Sequence, residues 1–160
     1  MFDTRNDLPH NTRTRVIELL NARLADAIDL GTQTKYAHWN VKGPNFIALH
    51  ELFDKVAETV EAHIDTIAER VTALGGRAVG TLAAVARTTS LKPYPEDISE
   101  GLAHVDALSA ALADYGAKIR AGIDAADKLG DADTSDLFTG ISRETDKHLW
   151  FLEAHLHAKR

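Results

Sequence analysis

At 160 residues, 44% hydrophobic and 26% charged, the chain is long enough to bury a core of its own as one globular domain, residues 1–160. Cysteine is absent, which excludes disulfides, thiolate metal sites and cysteine catalysis, and the only methionine is Met1, so few side chains oxidise easily. The net charge of −6, from 24 acidic and 18 basic side chains, sets the average surface against nucleic acid and in favour of cations.

Residues 1–10 read as a short tail, without the basic and apolar regions of a signal peptide, and no run of about 18 apolar residues could span a bilayer. A soluble cytoplasmic protein is the expectation. From about Thr12 to Trp39, Val16, Leu20, Leu24, Ala27 and Ile28 repeat at helical spacing until Gly43-Pro44 breaks the pattern. A second helix is predicted from a cap at Asn45 through Leu49, Phe53, Val56, Val60, Ile64, Ile67, Val71 and Leu74, ending at Gly75-Gly76. Gly80 to Pro95 forms a long connection holding one short helix around Leu82 to Ala86. The next long helix is predicted from Pro95 or Glu96 to Leu129, and the last follows Gly130-Asp-Ala-Asp133 with Thr134 as its cap. No strand pattern competes. Two helices, a long crossover with a short helix and two more helices describe an all-α, ferritin-like four-helix bundle.

The chemistry lies on the first two helices. His38, His50, Asp54, Asp65 and Glu69 follow one another at offsets of 12, 4, 11 and 4, and imidazole with carboxylate is the ligand set of iron, manganese or zinc. His50 with Asp54, and Asp65 with Glu69, each share a helix face. The midpoints of these pairs are 15 residues apart, roughly 22 Å along a helix, too far for one ion. Two copies of this helix crossing antiparallel about a twofold axis near Thr59 and Val60 would bring each pair against the other's complement, giving two intersubunit sites per dimer. His38, joined to the second helix by a tight turn, can lean over its start and add a nitrogen. So much carboxylate favours iron over redox-inert zinc. The plain alternative is that the acidic stripe is a solvated face, that His38 complements a helix dipole and that Trp39 is an ordinary core or interface aromatic.

Other reaction classes fit less well. His50-Glu-Leu-Phe-Asp54 has aspartate where a zinc protease of the His-Glu-x-x-His type needs its second histidine. Glu-x-x-His, which would enclose metals within one ferritin bundle, does not occur. Glycine-rich phosphate loops are missing too.

The segments Lys35-Tyr-Ala-His-Trp-Asn-Val-Lys-Gly-Pro-Asn-Phe46, Leu49-His-Glu-Leu-Phe-Asp54 and His63-Ile-Asp-Thr-Ile-Ala-Glu-Arg70 resemble the signature of the Dps family, ferritin-like DNA-protection proteins of starved bacteria. Thr134-Ser-Asp-Leu-Phe138 and Asp146-Lys-His-Leu-Trp-Phe-Leu-Glu-Ala-His155 resemble that family's last helix, so the likeness covers nearly the whole chain. All five ligand positions of the family are present: His38, His50 and Asp54 from one subunit, Asp65 and Glu69 from its mate. The resemblance implies a hollow dodecameric cage that oxidises Fe(II) at diiron sites between twofold-related subunits, preferably with hydrogen peroxide rather than dioxygen, and stores ferric mineral inside. It places Trp39 beside the site as a source of single electrons. It also assigns acids near the start of the last helix, Asp131 and Asp136 best, to the pores that admit iron.

DNA is where the chain departs from the pattern. Members that bind it use lysine-rich tails, whereas here Arg5 faces Asp3 and Asp7, and His155-Leu-His-Ala-Lys-Arg160 is only mildly basic. The expectation is weak, salt-sensitive DNA binding or none. The competing reading is a structural nucleoid protein coating DNA, with metal serving only assembly. His63, His104 and His148 are expected to be surface or core histidines rather than ligands.

Overall fold

The computed structural model describes residues 1–157. Its helices are α1 (His10–Asn40), α2 (Phe46–Ala73), α3 (Leu82–Thr88), α4 (Gly101–Leu129) and α5 (Ala132–Leu156). Lys159 and Arg160, the basic end of the C-terminal tail, lie outside the described residues. Among those described there is no β-strand, only an isolated parallel bridge between Lys42 and Glu100.

α1 pairs closely with α2 and α4 with α5, and the two hairpins meet through α1 against α4 and α2 against α5. This is the anticipated bundle, with α3 carried across α1 on the crossover. The apolar seams explain it. Val16, Leu20, Leu24 and Leu30 of α1, Phe53, Val60 and Ile67 of α2, Leu108, Tyr115 and Ile119 of α4 and Phe138 and Leu152 of α5 close into one core. Fully burying a leucine or phenylalanine contributes roughly 2 kcal/mol, so the seam outweighs the modest helix propensity of its β-branched members.

Glycine ends two of the helices. Gly75 (φ +83°) and Gly130 (φ +79°) adopt the left-handed conformation, which lets Gly76 N–H reach the Val71 carbonyl at 2.9 Å and Asp131 N–H the Ala126 carbonyl at 3.1 Å. The N-terminal residues fasten to the first of these ends: Phe2 N–H donates to the Gly75 carbonyl at 2.7 Å, and Arg13 bonds the carbonyls of Leu8 and Leu74.

Three predicted boundaries are corrected. α1 begins at His10 rather than Thr12, because Pro9 (φ −54°) presets the entering backbone and its carbonyl accepts from Arg13 N–H. α4 begins at Gly101 rather than Pro95 or Glu96. The preceding residues, with a turn at Glu96 and Asp97, are held out of the helix by Lys42 N–H donating to the Ser99 carbonyl at 2.9 Å and by the Tyr36 hydroxyl donating to the Glu96 carbonyl at 2.7 Å. The cap of α5 is Asp131, not Thr134: its carboxylate accepts from Thr134 N–H at 3.1 Å and from the Thr134 hydroxyl at 2.6 Å.

Candidate metal centre

His38 occupies the last turn of α1 and His50 the first turns of α2. Buried Val41 and Leu49 anchor the turn between them, and Gly43, at φ +110°, lets the chain reverse. The imidazoles then stack, with ring centres 3.7 Å apart and 22° between planes. His38 Nδ1 lies 2.9 Å from the His50 carbonyl, and His50 Nδ1 lies 2.8 Å from the His38 carbonyl. A carbonyl only accepts, so both Nδ1 atoms must carry the proton. In the neutral rings each Nε2 then keeps its lone pair, the form in which histidine ligates a metal.

Asp54, one turn beyond His50, stands beside them. Its Oδ1 is 2.7 Å from Lys35 Nζ and 3.8 Å from His38 Nδ1, and its side chain is 42% exposed. The hydrogen bond from the Lys35 ammonium holds the Asp54 carboxyl below the usual carboxylate range, which keeps it ionised at neutral pH. Lys35 thus holds its positive charge directly against the Asp54 carboxylate.

Asp65 and Glu69 are exposed on α2. The helix is continuous from Phe46 to Ala73, so they lie about 22 Å from His50 and Asp54 along its axis. Among the described residues of one chain, no three histidine, aspartate or glutamate side chains converge on an ion. One subunit thus presents two imidazole nitrogens and one carboxylate near one end of α2, and two further carboxylates near the other.

Trp39 points outward, 69% exposed, into a groove of about 740 Å³ along α1 and α2. Tyr36, Lys35, Asp54, Ile28 and Ile64 share that groove, an apolar wall next to the charged pair. The acids before and within α5 separate into two kinds. Asp131 is 1% exposed and, besides capping α5, accepts from Arg70 Nη2 at 2.7 Å; Asp127, Asp133 and Asp136 are exposed.

A ferritin-like domain model matches residues 17–160. The DNA protection during starvation protein of Agrobacterium fabrum is 53% identical over 156 residues, covering 98% of this chain and 96% of that protein. The chain belongs to the Dps family. Among solved Dps structures, DpsC from Streptomyces coelicolor superposes with a TM-score of 0.93 at 32% identity, over 100% of this chain and 92% of that one. The Dps protein of Vibrio cholerae O1, described as a member of a broad superfamily of ferritin-like diiron-carboxylate proteins, gives 0.90 at 26% identity, over 98% of each chain.

Three other histidines of this Dps chain, His63 and His104 buried and His148 half-buried, are held by other partners. His63 Nε2 bonds Glu144 at 2.7 Å and His148 Nε2 bonds Thr59 at 2.8 Å, two rungs between α2 and α5. His104 Nδ1 meets the Tyr94 hydroxyl at 2.7 Å. Burial lowers the basicity of all three imidazoles. Sequence reasoning missed Lys35 as the partner of Asp54. The signal was its place on α1, one turn before His38 and therefore on the face that carries the imidazole toward α2.

Proposed function

We propose that this Dps protein is a ferroxidase and iron store, with Fe(II) and hydrogen peroxide, or dioxygen more slowly, as its substrates. The observation that carries the reading is the reciprocal exchange between His38 and His50, which leaves two Nε2 lone pairs beside the ionised Asp54. A surface histidine pair would have no need of two main-chain bonds fixing the same tautomer.

The site is completed across a twofold axis. His38, His50 and Asp54 of one subunit converge with Asp65 and Glu69 of its mate when two α2 helices cross antiparallel near Thr59 and Val60. The exposed apolar groove around Trp39, Ile28 and Ile64 supplies the contact surface for that pairing. Two nitrogens with three carboxylates suit Fe(II), and carboxylate charge stabilises the Fe(III) that forms. Two Fe(II) ions give one electron each to peroxide, which takes up two protons and leaves as two waters, so no hydroxyl radical is released. Trp39, beside the site, is one source of the single electron needed when only one iron is present.

Twofold dimers assemble into a dodecamer whose cavity collects ferric mineral. Asp136 is the exposed carboxylate of the ion path into it, while Asp131 anchors that segment through Arg70. Removal of iron and peroxide together protects DNA in the cytoplasm without tight binding to it. The tail supports this, since Arg5 sits between Asp3 and Asp7 and Phe2 is bonded to Gly75. No described helix is long and apolar enough to cross a membrane.

Anaerobic Fe(II) titration followed by a peroxide pulse tests the reading. Rapid oxidation of about two Fe(II) per peroxide is expected, lost in a His38→Ala, His50→Ala double variant that still assembles. Unchanged oxidation in that variant would remove the site from the chemistry.

A further inference from the structure

A second constellation begins in the same groove and ends inside the subunit. Tyr36, which shares the groove with Trp39 and Asp54, meets Tyr94 of the crossover edge to face, ring centres 5.5 Å apart and planes at 61°. The Tyr94 hydroxyl lies 2.7 Å from Nδ1 of His104, whose side chain is fully buried, and the two rings lie nearly parallel with centres 6.0 Å apart.

The three tyrosines of the chain differ in one respect. The Tyr36 hydroxyl donates to the Glu96 carbonyl, a very weak base; the Tyr115 hydroxyl is buried with no hydrogen-bond partner among the described residues, although its ring stacks near His63; only the Tyr94 hydroxyl lies at hydrogen-bond distance from an imidazole nitrogen. A phenol that loses an electron becomes strongly acidic, so its oxidation is easiest where a base at hydrogen-bond distance takes the proton. We infer that Tyr94 and His104 form a proton-coupled redox pair, reached through Tyr36, that accepts the oxidising equivalent left when peroxide meets a single Fe(II) at the neighbouring site.

The inference rests on the proposed ferroxidase reading. The step balances. One Fe(II) reduces peroxide to hydroxide and a hydroxyl radical, which takes one electron from Tyr94 by way of Tyr36 and one proton from water to become water. The Tyr94 O–H bond breaks, its proton passes to His104 Nδ1, and a neutral tyrosyl radical beside an imidazolium remains. A second Fe(II) returns the electron, the proton goes back to oxygen, and two irons have again been oxidised per peroxide. Burial sets the pair for this role: it raises the phenol's pKa, so Tyr94 keeps its proton until it is oxidised, and it keeps His104 neutral and able to accept.

The test uses the assembled protein in two arms. Free of iron, it is oxidised by a flash-generated ruthenium(III) tris-bipyridine complex, frozen and read by electron paramagnetic resonance. A tyrosyl signal is expected that falls about tenfold in Tyr94→Phe and in His104→Gln, whereas Tyr115→Phe leaves it unchanged. An undiminished signal in Tyr94→Phe, or its loss in Tyr115→Phe instead, overturns the pair. In the second arm one Fe(II) per site is followed by peroxide, and spin-trapped hydroxyl radical is expected to rise about fivefold in Tyr94→Phe. Equal trapping in Tyr94→Phe and the parent protein overturns the coupling of the pair to the site. Absence of iron oxidation in every protein, with the first arm intact, counts against the ferroxidase reading and leaves the redox pair standing.

Discussion

His38 and His50 hold each other's tautomer: each gives its Nδ1 proton to the other's main-chain carbonyl, at 2.9 and 2.8 Å, with the rings stacked at 3.7 Å. The two side chains are therefore one unit. Replacing either by alanine frees the other ring to rotate, so each single variant is expected to slow Fe(II) oxidation by about 10- to 100-fold, and the double variant little further. Stopped-flow absorbance of the ferric product measures this. Losses that multiply in the double variant would show that the rings act separately.

In the proposed site, Lys35 competes with Fe(II) for Asp54. An exposed pair such as Lys35 with Asp54 is worth up to about 1 kcal/mol, so Lys35→Gln is expected to tighten Fe(II) binding by about three- to fivefold. Anaerobic calorimetry reads the change. Weaker binding would mean that Lys35 orients Asp54 rather than occupying its place.

Asp131 and Asp136 are expected to part ways. Asp131→Ala removes the α5 cap and leaves Arg70 without its buried partner, at a cost of about 3 kcal/mol in denaturant unfolding. Asp136→Asn leaves stability within about 0.5 kcal/mol of the parent and slows iron uptake into the cage. Equal destabilisation by both would refute this division.

Acid sensitivity follows from two buried histidines and one half-buried one. Their folded pKa values lie below the unfolded value of about 6.5, so native His63, His104 and His148 stay neutral where the unfolded chain takes up protons. Stability is full above pH 6.5 and falls as pH drops through about 6.5 toward the folded values, by up to about 1.4 kcal/mol per pH unit for each histidine. Calorimetric melting between pH 7.5 and 5 checks the sign, and His63→Gln is expected to flatten the slope. A melting temperature that rises on acidification would contradict the assignment.

Much of this was readable in the order of residues. The seam of Leu49, Phe53, Val56, Val60 and Ile67 repeats so regularly that α2 had no rival reading, and Gly75 and Gly130 marked real left-handed ends. The start of α4 was hidden because residues 95–100 carry helix-compatible side chains, while tertiary bonds to Lys42 and Tyr36 hold them in a turn and loop outside the helix. Asp131 was legible as an acid near a helix start, but its burial against Arg70 depends on the distance between α2 and α5, which periodicity does not report. The same holds for the pairs Lys35 with Asp54 and Tyr94 with His104, whose partners come from different elements.

The proposed site is built by two subunits together, and mixing variants tests that most directly. One variant carries His38→Ala and His50→Ala, the other Asp65→Asn and Glu69→Gln, and each alone is expected to be nearly inactive. After co-refolding at equal amounts, half of the dimers are mixed, and each mixed dimer has one site with all five ligands and one that keeps only Asp54. Peroxide-driven Fe(II) oxidation is then predicted to recover to about a quarter of the parent rate. A mixture no more active than the variants kept apart would contradict a site shared between subunits.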